Sequence, residues 1–376
     1  MIKILFTAVS AHGHVLPMVP LMESALAQGH RVGLVVSGLF EPVVESDLPV
    51  GVELLRAGPM PLELATLAAE RTQGDVMYPT VAGIGETFGG VMLDLSLPEA
   101  IPAARAWAPD VIIADSYNTV GPFLSAALQV PWWRLSMTVR PPTAWLDAIA
   151  LSSHERYIAA ELEPRDPAGT VELWPDELSD PEGEAWDDGP IIEMAFSAHR
   201  GRGVEMALPA IAPDRPRVVV SMGTIFSDAT ALESIAARLA SMNVDAVITS
   251  GLALGETTKN ATEDSSVEWV EFTPIARLLR GASAVISVGG AGTVLATLAA
   301  GIPLVLWPHG ADQPGIAARV VEAGAGLNVS GLEDLASTLA TVLSDGRFKT
   351  NARTVATVNA SRPNASDVLT LIRETV

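Results

Sequence analysis

The chain has 376 residues, 49% of them hydrophobic, which suffices for two domains with sizeable cores and excludes a disordered protein. Its 23 basic against 44 acidic residues give a formal charge of −21, which argues against nucleic acid or an anionic membrane as partner, since both reward clustered Lys and Arg. It contains no cysteine, hence no disulfide, thiolate metal site or cysteine nucleophile.

The opening run MIKILFTAV reads as a strand over 2–9. It is too brief for the apolar region of a signal peptide, and no stretch approaches ~18 uninterrupted apolar residues. A soluble, cytoplasmic protein without stable membrane insertion is expected. A turn over 10–14 leads into a helix over 17–28, with Val19, Leu21, Met22 and Leu26 at helical spacing and Gly29 closing it. A strand over 31–37 completes a β-α-β unit, which implies a parallel sheet. Strands at 52–55 and 111–114, a helix at 121–128 and a strand at 132–136 follow. The stretches 62–87, 98–108 and 140–163 mix apolar side chains with loop formers and lack clean periodicity. Walls of a ligand cleft and ordinary surface helices account for them equally well.

The segment 172–188 is acidic and proline-punctuated, and 201–216, rich in Gly, Pro and Arg, reads as an interdomain linker with its core at 206–216. A second alternating set begins with a strand at 217–222, a helix at 229–242, strands at 245–249 and 266–270, and a helix at 275–281. It continues with a strand at 285–287, helix 293–300, strand 302–306, helix 332–343 and a closing helical run at 366–376. Two successive β/α sets of similar size predict an α/β protein of two Rossmann-like domains facing across a cleft, at 1–205 and 217–360, with a closing segment at 361–376.

The stretch VISVGGAGTVLATLAAGIPLVLWPHGADQ, 285–313, is where the chemistry concentrates. Gly289, Gly290 and Gly292 allow a sharp turn into a helix whose unpaired N–H groups and dipole suit an anion. Any strand–glycine turn–helix unit shares that look, and both the third glycine of the dinucleotide fingerprint and a Walker lysine are missing. His309, Asp312 and Gln313 follow the next strand in a polar turn at its carboxyl end, where α/β sheets place ligands. Two further residues stand at strand ends. His14, in the turn after the first strand, has the address of a general base, or of a solvated or helix-capping histidine. Asp115, after 111–114, could accept its ring N–H and fix its tautomer, or cap the following helix.

With the Pro308–Gln313 turn added to the glycine turn, the sequence resembles the family 1 glycosyltransferases of the GT-B fold, in particular bacterial enzymes that decorate natural products. The resemblance implies that His14, in Gly13-His14-Val15-Leu16-Pro17, is the base that deprotonates an acceptor hydroxyl. Asp115 would be its partner, and attack on the anomeric carbon would invert configuration. It implies donor contacts from Ser221, Gly223 and Thr224; from Phe272, Thr273 and Ile275, where the family has a base-stacking aromatic; from Gly290, Ala291, Gly292 and Thr293 at the pyrophosphate; and from His309, Gly310, Asp312 and Gln313 at the sugar. Taken from position alone, Phe272 is equally a core aromatic. His12 matches no motif and is expected to lie behind the site or in solvent. The last helix should return to the first domain.

One departure stands out. Family members usually carry a histidine directly before the Gly-Gly turn, in contact with the diphosphate, whereas this chain has Val288. Loss of such a donor costs about 1.5–3 kcal/mol of donor binding. Compensation by Ser287 or another residue, weaker donor binding, and a protein that no longer transfers sugar are the three accounts. The presence of His14, Asp115, Asp312 and Gln313 together favours an active enzyme. The expected partners are a nucleoside diphosphate-sugar as co-substrate, UDP or dTDP, and a small apolar acceptor. Neither a metal nor another cofactor is expected, there being no Asp-X-Asp and no His cluster with ligand spacing. A catalytically silent homologue and a nucleotide-sugar 2-epimerase on the same fold are the alternatives. Oligomeric state is open, a homodimer included.

Overall fold

The structure is a computed structural model and describes residues 1–376 apart from 77, 179–185, 187, 202–213, 224–228, 250–265 and 376. The chain forms two compact units, one made of Met1–Leu173, Glu182–Ala195 and Pro363–Val376, the other of Trp174–Pro181 and Phe196–Arg362.

The first unit is built on seven parallel strands: β1 Lys3–Thr7, β2 Arg31–Val36, β3 Val52–Arg56, β4 Val111–Asp115, β5 Trp132–Ser136, β6 Gly169–Glu172 and β7 Ile191–Glu193. Their order is β3-β2-β1-β4-β5-β6-β7. Central strands of such a sheet are covered on both faces and must be apolar throughout, and all five residues of β4 are buried. The order reverses between β1 and β4, which opens a crevice at their carboxyl ends. Strands β6 and β7, four and three residues long, are too short to stand out in the sequence. The turn expected at 10–14 is partly helical, and helix His12–Val15, a 3-10 turn Leu16–Met18 and helix Val19–Ala27 follow one another.

The three stretches without clear periodicity are helical: Pro61–Thr72, Val81–Gly85, a π-helical segment Glu86–Val91, Met92–Trp107 and Thr143–Ala159. Their signal is muffled by Pro98 and Pro102 inside one helix and by glycines in the π segment. Those glycines serve close packing, because a Cβ at Gly89 would collide with the carbonyl oxygen of Ile149 on helix Thr143–Ala159. Arg71 pairs with Glu86 (3.1 Å) and Asp94 (2.8 Å), and Arg156 pairs with Asp94 (2.7 Å), which ties these helices together.

The last helix, Ala365–Arg373, belongs to this unit and packs on Val19–Ala27. Asn364 and Asp367 form a capping box at its start, Val368, Leu369 and Ile372 are its buried face, and Gln28 Nε2 donates to Ser366 Oγ at 3.0 Å.

The second unit has six parallel strands: β8 Arg217–Ser221, β9 Asp245–Thr249, β10 Val267–Val270, β11 Ala282–Ser287, β12 Leu304–Leu306 and β13 Gly326–Asn328. Their order, β10-β9-β8-β11-β12-β13, repeats the pattern of the first unit, with the reversal between β8 and β11. Helix Ala291–Ala299 starts two residues before the expected position, and helices Gln313–Glu322 and Gly346–Ser361 add to those foreseen. The division between units does not fall at 205. Trp174–Pro181 groups with the second unit, as does the chain from Phe196, whose backbone exchanges two hydrogen bonds with Asn359 (2.8 and 3.1 Å). Most of the 206–216 linker lies outside the described residues.

Candidate active site

At the β1/β4 crevice, His14 Nδ1 lies 2.8 Å from Asp115 Oδ2. Asp115 is fully enclosed and held from two sides: Oδ2 also accepts the Val9 N–H (3.1 Å), and Oδ1 accepts the Tyr117 N–H (2.8 Å). An ionised carboxylate can only accept, so the imidazole proton belongs on Nδ1 and the lone pair on Nε2. The His14 side chain is 28% exposed, enough for a small reactant to reach it. Asp115 does not cap the next helix; Thr119 occupies the N-cap of Val120–Leu128, and Asn118 Oδ1 accepts the Gly121 N–H at 3.1 Å. The sequence reading missed the aromatic neighbours: the Tyr117 ring stands edge-on to His14 at 6.3 Å, and Phe88, carried by the π segment, lies 5.0 Å from Tyr117. A small cavity of about 20 Å³, room for little more than a water molecule, lies near this cradle, with apolar walls from Val9, Val35, Leu64 and Met92 and polar edges at Ser96 and Asn118.

In the second unit the glycine turn stands at the β8/β11 crevice. Gly289 has φ +92°, a region open to glycine at little cost, and Gly290 is the N-cap of helix Ala291–Ala299. Among the described residues a Cβ built on Gly290 or Gly292 meets nothing within 4 Å, which leaves room at the start of this helix, at Ala291, Gly292 and Thr293. Such a helix start suits a phosphate. Ser221 closes β8 in register with Ser287 of β11, and Gly223 (φ +79°) follows it. Thr224 lies outside the described residues.

Val288 requires a correction. It is 2% exposed and belongs to the apolar core of this unit, with its Cγ2 3.7 Å from a Cβ built on Gly223, so its side chain is not a donor contact. Ser287 is buried too, and its Oγ accepts the Gly289 N–H (3.2 Å), which shapes the turn and does not reach outward.

The two halves of the motif meet, because a Cβ on Gly289 would stand 3.5 Å from Gln313 O. Gln313 Oε1 accepts the N–H groups of His309 (2.9 Å) and Gly310 (3.3 Å), so it braces the turn. Ala311 takes φ +55°, and Asp312 stands at the N-cap of Gln313–Glu322 without a side-chain capping bond. His309 is exposed with its ring 4.3 Å from that of Trp307, a third aromatic the sequence reading missed. Phe272 is half-buried at the end of β10, Thr273 Oγ1 donates to Glu271 O (2.9 Å), and Ile275 opens helix Ile275–Leu278, which packs beside Ala291–Ala299. Among the described residues, no group of three or more His, Cys, Asp or Glu could hold a metal ion, and no helix is long and apolar enough to cross a membrane.

Two parallel sheets with the same reversed strand order, each with its candidate residues at the crossover, define the class of fold as GT-B, which the similar solved structures share. Residues 233–374 match the erythromycin biosynthesis protein CIII-like C-terminal domain. The chain is 28% identical over 386 residues to the L-demethylnoviosyl transferase of Streptomyces niveus, with 97% of this chain and 96% of that protein covered. Among solved structures it is similar to the Streptomyces sp. SF2575 glycosyltransferase SsfS6 in complex with thymidine diphosphate (TM-score 0.84, 23% identity, 100% of both chains). It is also similar to the spinosyn rhamnosyltransferase SpnG in complex with spinosyn aglycone (TM-score 0.82, 22% identity, 99% of this chain and 100% of that one). Over nearly its whole length the chain is thus similar to natural-product glycosyltransferases of Streptomyces, the elloramycin glycosyltransferase of Streptomyces olivaceus (28% identity, 97% of this chain and 95% of that protein) among them.

Proposed function

We propose that this glycosyltransferase moves a sugar from a nucleoside diphosphate donor to a hydroxyl of a small, largely apolar acceptor with inversion at the anomeric carbon. The observation that carries the reading is the 2.8 Å contact between His14 Nδ1 and the enclosed Asp115 carboxylate, which leaves Nε2 as the proton acceptor. In this mechanism Nε2 takes the proton of the acceptor hydroxyl as its oxygen bonds to the anomeric carbon, and the bond to the diphosphate breaks on the opposite face. Asp115 stabilises the imidazolium formed. The N–H groups at the start of Ala291–Ala299 meet the growing charge on the diphosphate. Asp312 and the Gln313 amide would hold sugar hydroxyls.

The thymidine diphosphate bound to SsfS6 supports dTDP over UDP as the nucleotide, and the aglycone bound to SpnG supports an apolar acceptor. The core position of Val288 favours one competing reading, a homologue that binds its donor poorly and acts only as a partner protein. Calorimetric titration with UDP, dTDP and their sugars separates the two, because an active transferase binds one nucleotide and a silent homologue binds none. His14→Ala is expected to lower transfer by about 10²–10⁴-fold while the donor dissociation constant stays within about twofold of wild type. Transfer at the wild-type rate by that variant would remove His14 from the mechanism.

A further inference from the structure

His12, two residues before the proposed base, matched no motif, yet it is as enclosed as the sheet core. Helix His12–Val15 is a single turn of four residues with no side-chain cap, and its only buried residues are His12 and Val15. It is the leading turn of a helical run that continues through Leu16–Met18 into Val19–Ala27, so its far end is carried by the chain and its leading end is placed by what packs on it. The imidazole of His12 stands edge-on to Phe40 at 5.3 Å, and its Nε2 lies 3.5 Å from Asp47 Oδ2, with all three residues buried. Both partners sit in the connection between β2 and β3, on either side of helix Glu41–Val44. The same connection is joined to the same turn a second time, by the Ser37 N–H donating to Ser10 Oγ at 2.9 Å. Positions 12 and 14 are about 200° apart around a helix axis, so the side chain that anchors the turn points away from the one that meets Asp115.

We propose that His12, held between Phe40 and Asp47, is a positioning residue that fixes the turn on which His14 is presented to Asp115. The inference rests on His14 acting as the base. A base displaced by about 1 Å loses on the order of 10²-fold in rate, so a buried pair behind the turn is felt in the chemical step without touching a substrate.

The test compares His12→Ala, His12→Gln, His14→Ala and the double variant in steady-state transfer, each checked for an intact thermal unfolding transition. His12→Ala should lower kcat by about 10- to 100-fold, with KM for donor and acceptor within about twofold, and His12→Gln, which keeps a polar side chain of similar reach between Phe40 and Asp47, should recover most of the loss. In the His14→Ala background the added His12→Ala should change the residual rate by less than about twofold, since the base it serves is gone. An equal loss in both backgrounds, a loss carried by KM, or no loss from His12→Ala overturns the proposal. Where His12→Ala does not fold, or the residual rate is too low to measure, Asp47→Asn tests the pair through the same division between kcat and KM. Should His14→Ala alone transfer at the parent rate, the base assignment fails, and not the role of His12 specifically.

Discussion

Val288 shows how a residue can stand at a functional position and face away from it. Its backbone leads into the glycine turn, but its side chain fills the core. Replacing it by the histidine common in the family would put an imidazole where only apolar atoms wait, at a cost of about 1–3 kcal/mol. Val288→His is therefore expected to lower the thermal midpoint without tightening nucleotide binding, as unfolding scans and calorimetry on the same sample would reveal. Tighter binding would mean that the side chain turns outward once it is polar. At this scale the sequence was informative where a residue's address suggests a partner, since Asp115 ends β4, His14 lies in the turn that follows the neighbouring β1, and the two meet. It was uninformative where orientation decides. Nothing in the letters says that Gln313 spends its Oε1 on the N–H groups of His309 and Gly310, or that His12 is enclosed by residues 28 and 35 positions further on.

Among elements, helix Ala365–Arg373 has the widest influence for its length. Its Arg373 contributes to an unusual environment at His30, a buried imidazole whose Nδ1 accepts the Ile2 N–H at 3.2 Å. Burial first, then the charges of Arg373 and the N-terminal ammonium, hold the His30 pKa below its ordinary value. A depressed pKa means that the folded state resists a proton which the unfolded chain accepts. This contribution to stability is complete above about pH 6.5 and is lost as the pH falls through the folded value. Denaturant unfolding of wild type and His30→Asn between about pH 5 and 7.5 should show the wild type losing stability faster toward acid. Parallel slopes would mean that His30 titrates alike in both states. Strands and amphipathic helices announced themselves by period, whereas Met92–Trp107 did not. Pro98 and Pro102 read as breakers in isolation and are tolerated only because neighbouring helices and the Arg71–Asp94–Arg156 pairs secure that helix. The π segment was equally hidden, since its glycines signal a loop until the partner helix is known.

For the molecule as a whole, a formal charge of −21 surrounds a site proposed to bind a diphosphate. Attraction must come from groups within a few ångströms, and the distant field opposes it. The nucleotide dissociation constant should therefore fall modestly as inert salt is raised from about 10 to 150 mM, opposite to the trend of a nucleic-acid binder. Titrations at three ionic strengths decide it, and steady weakening would show that local ion pairs dominate. The doubling of one β/α pattern was readable from the order of strands and the return of the last helix from the family resemblance, whereas the assignment of Trp174–Pro181 to the second unit was not. The first unit is assembled from three separate segments, the last beginning at Pro363, and the second from two. A hybrid made by joining the front of this chain to the back of a relative would thus receive a foreign Ala365–Arg373 on its own Val19–Ala27, with Val368, Leu369 and Ile372 as the mismatched seam. Modular exchange succeeds only when 363–376 travels with the unit it completes, as a pair of cut points around the donor unit and not a single splice.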